Sequence, residues 1–374
     1  MAVPAAARTP PPPWLEALRA RASKPSINVA APFDPNHAIG LIAAPWVLSQ
    51  TLDYLSGYYV PSAVPHAHIL DVATAGAEVR AWADEARLGA TPIAGTRLAI
   101  ASGLSGDVAW HVRFEEAAFA DLTVFLADRT VILTSHDGVI PPHLGLARLV
   151  RNRLSSDWSL AGGAYLHAGC VTIGGVGVVI LGDKFAGKTT QICELVSRGA
   201  RFTSNDRIFL FPNGRVVGLP VSVNIRPGTL ERYDSLRAWR SAGLPNPHRV
   251  GMNVPDSDVS LSVAQFADAF RATISPTAPL HAVVRLTRSG AASTQSADME
   301  GSKLVDLLAS SLFDGIDYSQ PFWPYRRSDT RTVAQIVETH AKVACEIDIG
   351  EGDIGACARL IEDLLTDRAR AMRG

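Results

Sequence analysis

Cysteine is scarce in this chain, and what there is stands apart. Four cysteines, Cys170, Cys193, Cys345 and Cys357, are spread over 374 residues with no Cys-x-x-Cys pair. That spacing argues against a disulfide frame or a thiolate zinc site and reads as reduced core thiols of a cytoplasmic protein. Long apolar runs are also missing. None approaches the roughly 20 residues that cross a bilayer, and the start, MAVPAAARTPPPPW, carries a proline run where a secretion signal has its apolar stretch. Nor is there an excess of one charge: Lys+Arg 35 against Asp+Glu 36 leaves −1. Proteins that coat nucleic acid or anionic membrane need a cationic surplus, so neither partner is expected. What remains is core material. With 47% hydrophobic and 19% charged residues, wholesale disorder is excluded.

The chain divides into three stretches by pattern. Residues 1–26 read as a flexible, Pro-rich tail with Pro10–Pro13 stiff and Trp14–Ala22 as a short helix. Residues 27–150 read as an N-terminal α+β domain. There Ile42–Leu55 has helical spacing, Glu78–Leu88 reads as an amphipathic helix closed by Gly89, and a helix is expected across His143–Trp158. Between them Leu98–Ala101, Ala109–Phe114, Leu122–Leu126 and Thr130–Thr134 form a meander of β runs. Residues 151–374 read as an α/β core domain in which strand and helix patterns alternate.

The chemistry concentrates where that core begins. Two apolar runs, Ala164–Thr172 and Val176–Leu181, flank Gly174-Gly175, a hairpin signal. The second run feeds Gly182-Asp183-Lys184-Phe185-Ala186-Gly187-Lys188-Thr189, which fits G-x4-G-K-[ST], and a helical pattern over Lys188–Arg198 ends at Gly199. Glycines let backbone N–H groups turn inward around phosphate oxygens, and a helix N-terminus adds partial positive charge. The lysine supplies a full charge to the β/γ-phosphates and the hydroxyl ligates magnesium. Strand–loop–helix is the context that this motif needs. Gly182, Phe185, Ala186, Gly187, Lys188, Thr189 and Thr190 are therefore the candidate nucleotide-binding residues. Only seventeen positions after Thr189 come Ser204-Asn205-Asp206. A helix of about three turns returns the chain early enough for Asp206 to sit near the magnesium and γ-phosphate.

The segment YLHAGCVTIGGVGVVILGDKFAGKTTQICELVSRGARFTSNDRIFL resembles the catalytic core of the HPr serine kinase/phosphorylase family and its relatives in peptide- and metabolite-tailoring pathways. The strong likeness spans about residues 164–228. It implies a core with a mixed sheet related to phosphoenolpyruvate carboxykinase, a magnesium nucleotide in the P-loop, and attack by a hydroxyl on the γ-phosphate. By position, His167 matches the family's strand histidine and Asp206 the second member of its acidic pair. The chain departs from the family at Asn205, where the other acidic residue belongs, so release of pyrophosphate in the reverse reaction is not expected. The loop interior is not the small, serine-rich one, and Val216-Val217-Gly218-Leu219-Pro220 keeps the glycine of the family's Glu-x-Arg-Gly signature but neither charge.

The resulting expectation is a phosphotransferase using ATP, or GTP, with Mg2+. Lys188 and the amides of Phe185–Lys188 hold the β/γ-phosphates, and Thr189 and Asp206 serve the metal. Asp206 acts as general base, or as an outer ligand of the metal, with His167 orienting it or contacting a phosphate. Arg226 and Arg207 are candidates for transition-state charge. The acceptor is a hydroxyl of a small metabolite, of nucleoside type for example, or of a peptide. The alternatives are an HPr-type protein serine kinase/phosphorylase and a non-catalytic nucleotide-sensing regulator. Specificity is expected from the N-terminal region and the Pro245–Asp258 stretch, and the resemblance makes a homo-oligomer reasonable. The aromatic group Phe322, Trp323 and Tyr325 with Arg326-Arg327, and likewise Tyr54, Tyr58 and Tyr59, read as packing. His66, His68 and His143 lack ligand spacing.

Overall fold

A computed structural model describes residues 27–31, 33–62, 68–74, 91–92, 98–105, 108–115, 121–126, 130–135, 142–241, 258–290, 292–299, 301–313, 323–350 and 353–371. The tail at 1–26, the helix expected at Glu78–Leu88 and nearly all of Pro245–Asp258 lie outside these. The chain is of mixed α/β type and divides into two compact units, Met1–Asn152 and Arg153–Gly374.

The first unit contains β1 (Ile27–Ala31), β2 (Asp34–Ile42), α1 (Pro45–Leu55), β3 (Val60–Pro61), β4 (His68–Thr74), β5 (Thr91–Pro92), β6 (Leu98–Ser105), β7 (Val108–Glu115), β8 (Asp121–Leu126) and β9 (Thr130–Ser135). They form one sheet in the order β3-β1-β2-β4-β9-β8-β7-β6-β5. β6 to β9 are the antiparallel meander that the spacing of apolar runs announces. The pairs β2–β4 and β4–β9 are parallel. The helix expected over Ile42–Leu55 is shorter. Ile42 ends β2, and α1 opens on Pro45, which has no N–H to leave unpaired in a first turn. Ala44 before it is extended, as a residue preceding proline must be (φ −57°, ψ 144°). Val47, Thr51, Tyr54 and Leu55 are its buried stripe, while Tyr58 and Tyr59 are buried just beyond it.

α2 (Pro142–Leu160) contains the division between units, and the second unit continues with β10 (Ala164–Leu166), β11 (Gly169–Ile173), β12 (Val176–Gly182), α3 (Lys188–Ser197), β13 (Arg201–Ser204), β14 (Ile208–Leu210), β15 (Arg215–Gly218), β16 (Val223–Ile225), α4 (Pro227–Leu230) and α5 (Asp234–Ser241). Then come β17 (Val259–Leu261), α6 (Val263–Phe270), β18 (Thr277–Thr287), β19 (Gln295–Asp298), α7 (Ser302–Ser311), α8 (Thr330–His340), β20 (Val343–Asp348) and α9 (Ile354–Ala371). The main sheet runs β10-β14-β15-β18-β12-β11-β13, with β20 also on β18 and β19 on β20. β16 and β17 pair by themselves.

β12 is central, and its continuous apolar run is buried from Gly177 to Leu181 because both neighbours and both faces are covered. It pairs antiparallel with β11 across Gly174 (φ +59°) and Gly175 (φ +88°), a turn whose two left-handed residues match the twist of the strands. On its other side it lies parallel to β18, with Gly182 opposite Leu286. Val179, Leu181 and Val283 on one face of this sheet share a core with Leu304, Leu307 and Leu308 of α7 and Val333 and Val337 of α8. α3 contributes Ile192, Leu195 and Val196 from another layer, where it packs on β11 and α9. Gly218 is needed where β15 passes β13: a Cβ there would lie 1.9 Å from the Thr203 carbonyl oxygen. All four cysteines are free and buried, and burial pushes the Cys170 thiol up to about 12. Among the described residues no helix is long and apolar enough to cross a membrane.

Candidate functional site

The loop between β12 and α3 is built for close approach by its glycines. Gly187, at the N-cap of α3, is left-handed (φ +98°, ψ 15°). Gly182 (φ +150°) leaves the strand where a Cβ would meet the Leu286 carbonyl oxygen at 2.7 Å. The turn closes through the Ala186 N–H, which donates to the Asp183 carbonyl at 3.1 Å. That amide is therefore used inside the loop. The open donors are those of the first turn of α3, because Gly187 offers no side-chain cap and no acidic residue stands in that turn. A Ser or Asp cap would be worth about 1 kcal/mol to the helix. Its omission leaves orphan N–H groups at the positive end of the helix dipole, a ready anion site.

Lys188 points back over this loop. Its Nζ donates to the carbonyl of Gly182 at 2.6 Å and to that of Asp183 at 3.4 Å. Burial draws the ammonium below its ordinary range, opposed by the Asp206 and Asp183 carboxylates. Thr190 is tied to Thr229 (Oγ1 to Oγ1 2.6 Å), so the first turn of α3 is anchored to α4. Thr189 is half-buried in the same turn. Phe185 is 66% exposed and left-handed (φ +76°). A bulky residue pays about 1–2 kcal/mol for that conformation. The Arg226 guanidinium covers the ring at 4.1 Å and the Lys184 ammonium lies 5.3 Å from it.

Asp206 comes from a tight turn between β13 and β14. The Ser204 hydroxyl shapes it, donating to the Arg207 carbonyl at 2.7 Å and accepting from the Arg207 N–H at 3.4 Å. The Asp206 carboxylate, 39% exposed, accepts from Nε2 of His167 at 2.7 Å. His167 is at the bend between β10 and β11 rather than within the strand paired with β12, as the sequence reading had it. Its backbone N–H donates to Ser311 O at 2.8 Å and its ring stacks on Phe313 at 5.7 Å. Tyr165 lies 4.4 Å from Phe313 and stacks on Phe209 at 4.8 Å, which fixes the strand end that presents the histidine. Burial pushes the Asp206 carboxyl up. The hydrogen bond from His167, and then the pull of His167, Arg207 and Lys188, outweigh it and hold the carboxyl below its usual range. β11 pairs antiparallel with both β12 and β13, Cys170 lying opposite Val179 and Ser204, so the loop after β12 and the turn after β13 leave the sheet at one edge, and the charges of Lys188 and Asp206 act on each other there.

Arg207 is committed locally. It donates to the Tyr165 hydroxyl at 2.9 Å, lies 5.1 Å over Phe313 and 3.9 Å from Asp206. Asn205 is buried, and among the described residues its Oδ1 has no hydrogen-bond partner. Sequence reasoning missed the arginines that β18 brings to the loop. Arg285 pairs with Glu346 at 3.0 Å and Asp183 at 3.7 Å, and the Arg288 guanidinium lies against Gly187. The signal for them was a cation within and directly after the apolar run LHAVVRLT. Phe313 left no signal at all. Trp323, by contrast, is 5% exposed and packs under Arg153 at 6.0 Å, and the Tyr325 hydroxyl donates to Phe313 O at 2.9 Å. Phe322 and His66 lie outside the described residues, as does the side chain of His68. His143 is buried, which lowers its basicity.

The chain is similar to HPr kinase/phosphorylases. It is 32% identical over 157 residues to that protein of Lacticaseibacillus casei (strain BL23), covering 39% of this chain and 48% of the relative. To the HPr kinase/phosphorylase of Limosilactobacillus reuteri (strain DSM 20016) it is 29% identical over 126 residues, covering 33% and 38%. The chain therefore spans less than half the length of these curated relatives. No family model matches it.

The residues present fit a magnesium nucleotide. The uncapped helix, the left-handed Gly187 and the ammonium beside it supply donors for an oligophosphate. Among the described residues no group of three His, Cys, Asp or Glu side chains could hold a metal ion by itself. A magnesium ion here would thus take most of its ligands from phosphate oxygens and water, the usual habit of that ion.

Proposed function

We propose that the protein is an ATP-dependent kinase that moves the γ-phosphoryl group to a hydroxyl of a small metabolite or peptide, on a P-loop core of the HPr-kinase and phosphoenolpyruvate-carboxykinase type. The carrying observation is that the loop leading to Lys188 at the uncapped start of α3, and the turn bearing Asp206, which His167 holds at 2.7 Å, leave the sheet at the same edge on either side of β11. The similarity to HPr kinase/phosphorylases supports it.

Phosphoryl transfer asks the protein mainly for position and charge. In this reading the amides at the start of α3 and the Lys188 ammonium grip the β/γ-phosphates. The Thr189 hydroxyl would hold magnesium, with the Asp206 carboxylate as an outer ligand, and the ion would supply charge neutralisation on the phosphate oxygens. Asp206 takes the proton of the acceptor hydroxyl as its oxygen bonds to the γ-phosphorus and the bond to the bridging oxygen breaks, leaving ADP. A carboxylate kept ionised and aimed by a histidine is suited to that task. His167 Nε2–H orients it. Arg226, stacked on Phe185, closes the outer side of the loop.

A second reading, an HPr-directed serine kinase/phosphorylase, is favoured by the similarity itself and opposed by Asn205. The test is incubation with magnesium and ATP labelled in the γ-phosphate, together with hydroxyl metabolites, peptides and purified HPr. Label is expected on a metabolite or peptide hydroxyl, with no pyrophosphate released when orthophosphate is added to the product. Label on HPr with pyrophosphate release establishes the second reading. Tight nucleotide binding without turnover across the panel makes the protein a nucleotide sensor instead.

A further inference from the structure

We infer that Arg288 is a phosphate-binding residue of this nucleotide site, delivered by the strand parallel to the one that feeds the loop. The inference rests on the nucleotide reading above and adds a residue to it that lies 100 positions beyond Lys188 in the chain.

The placement follows from strand register. β12 and β18 run parallel with Gly182 opposite Leu286, so Arg288 leaves the sheet at the edge where the loop does. Ligands of open α/β sheets bind outside that carboxyl edge. The guanidinium then folds against the loop. A Cβ built on Gly187 would meet Arg288 Nη2 at 3.2 Å and Nε at 3.7 Å. The glycine is required for its left-handed backbone, and the guanidinium occupies the space beside it.

The backbone on both sides of Arg288 is held by the end of β20 and the residue after it. The Thr287 carbonyl accepts from Ile349 N–H at 2.9 Å. Ser289 N–H donates to Asp348 Oδ1 at 2.9 Å, and the Ser289 hydroxyl bonds the other oxygen of that carboxylate. The side-chain bond and then the backbone bond hold the Asp348 carboxyl below its usual range, so the clamp is an ionised acceptor at neutral pH. Among the described residues nothing comparable restrains the guanidinium itself. Arg285 is spent on Glu346 and Asp183, Arg207 on Tyr165, and Arg226 on Phe185. Arg288 is exposed and, among the described residues, makes no ion pair or hydrogen bond.

An unpaired guanidinium beside the positive end of α3 and the Lys188 ammonium gathers like charges, and an anion between them relieves that repulsion. The planar fork of arginine suits two oxygens of a phosphate chain, a geometry that a lysine ammonium does not reproduce.

The experiment is calorimetric titration of the full chain with MgATP, MgADP and magnesium pyrophosphate. It compares wild type, Arg288→Gln and Arg288→Lys, with thermal unfolding as the check on folding. Arg288→Gln is expected to weaken nucleotide and pyrophosphate binding about 10- to 100-fold, the usual reach of hydrogen bonds to a charged group. Arg288→Lys is expected to fall between it and wild type, at unchanged unfolding temperature. Wild-type binding with Arg288→Gln within twofold of it overturns the role of Arg288 and leaves the nucleotide reading standing. Absence of any nucleotide binding by wild type removes both.

Discussion

Lys188→Ala is expected to lower nucleotide-dependent phosphoryl transfer by about 100- to 1,000-fold, the usual cost of deleting one preorganised donor aimed at developing charge. The side chain does little for the fold that alanine would forfeit. Its Nζ meets two carbonyls of its own loop, and burial already weighs against its charge. Alanine is also the best helix former, so α3 is not weakened at its first position. The result is a folded protein with unchanged thermal unfolding and collapsed transfer, measured as product formed per enzyme at saturating acceptor. Activity within a few-fold of wild type would place the phosphates elsewhere.

Asp206→Asn carries the second large expectation, a loss of about 100- to 10,000-fold in transfer, the range that a positioned general base contributes. Asparagine keeps the size of the side chain and the acceptor for His167 Nε2–H, so the turn set by Ser204 survives. The proton acceptor does not. The pH profile gives the sign independently. The folded Asp206 carboxyl ionises below its ordinary range: burial pushes it up, and the His167 hydrogen bond together with the charges of His167, Arg207 and Lys188 outweighs that push. Activity that needs the carboxylate is therefore present at neutral pH and lost as pH falls through that lowered value. The stability drawn from the shift follows the same course, being complete above the ordinary carboxylate range of about 4. His167→Gln weakens the interaction that favours the ionised form, so the acidic limb of the profile should move to higher pH. A limb that stays in place would mean that His167 does not govern Asp206.

Local chemistry made part of this legible in the sequence. Gly174-Gly175 announced the hairpin, the apolar run 176–181 announced a buried strand, and Gly199 (φ +103°) announced the end of α3. Nonlocal pairing hid the rest. β2 begins with Asp34 and Pro35, residue types that are depleted in strands, and is a strand because β1 and β4 flank it. β19 is exposed at all four residues and has no alternation to detect; β20 holds it as an edge. The early return of Asp206 was readable from helix length, whereas its partner was misplaced by one structural element: His167 works from a bend. Arg288 was invisible for the same reason that β18 is informative. Its closeness to Gly187 exists only once a parallel pairing across 100 residues has formed.

The most direct measurement is a crystal structure of the full chain with magnesium and a non-hydrolysable ATP analogue. The account predicts the β- and γ-phosphates within the bend from Gly182 to Thr189, touched by Lys188, with the Asp206 carboxylate facing the γ-phosphorus from the side where an acceptor oxygen would enter. An analogue bound away from that bend, or an Asp206 turned toward a different cavity, would contradict it.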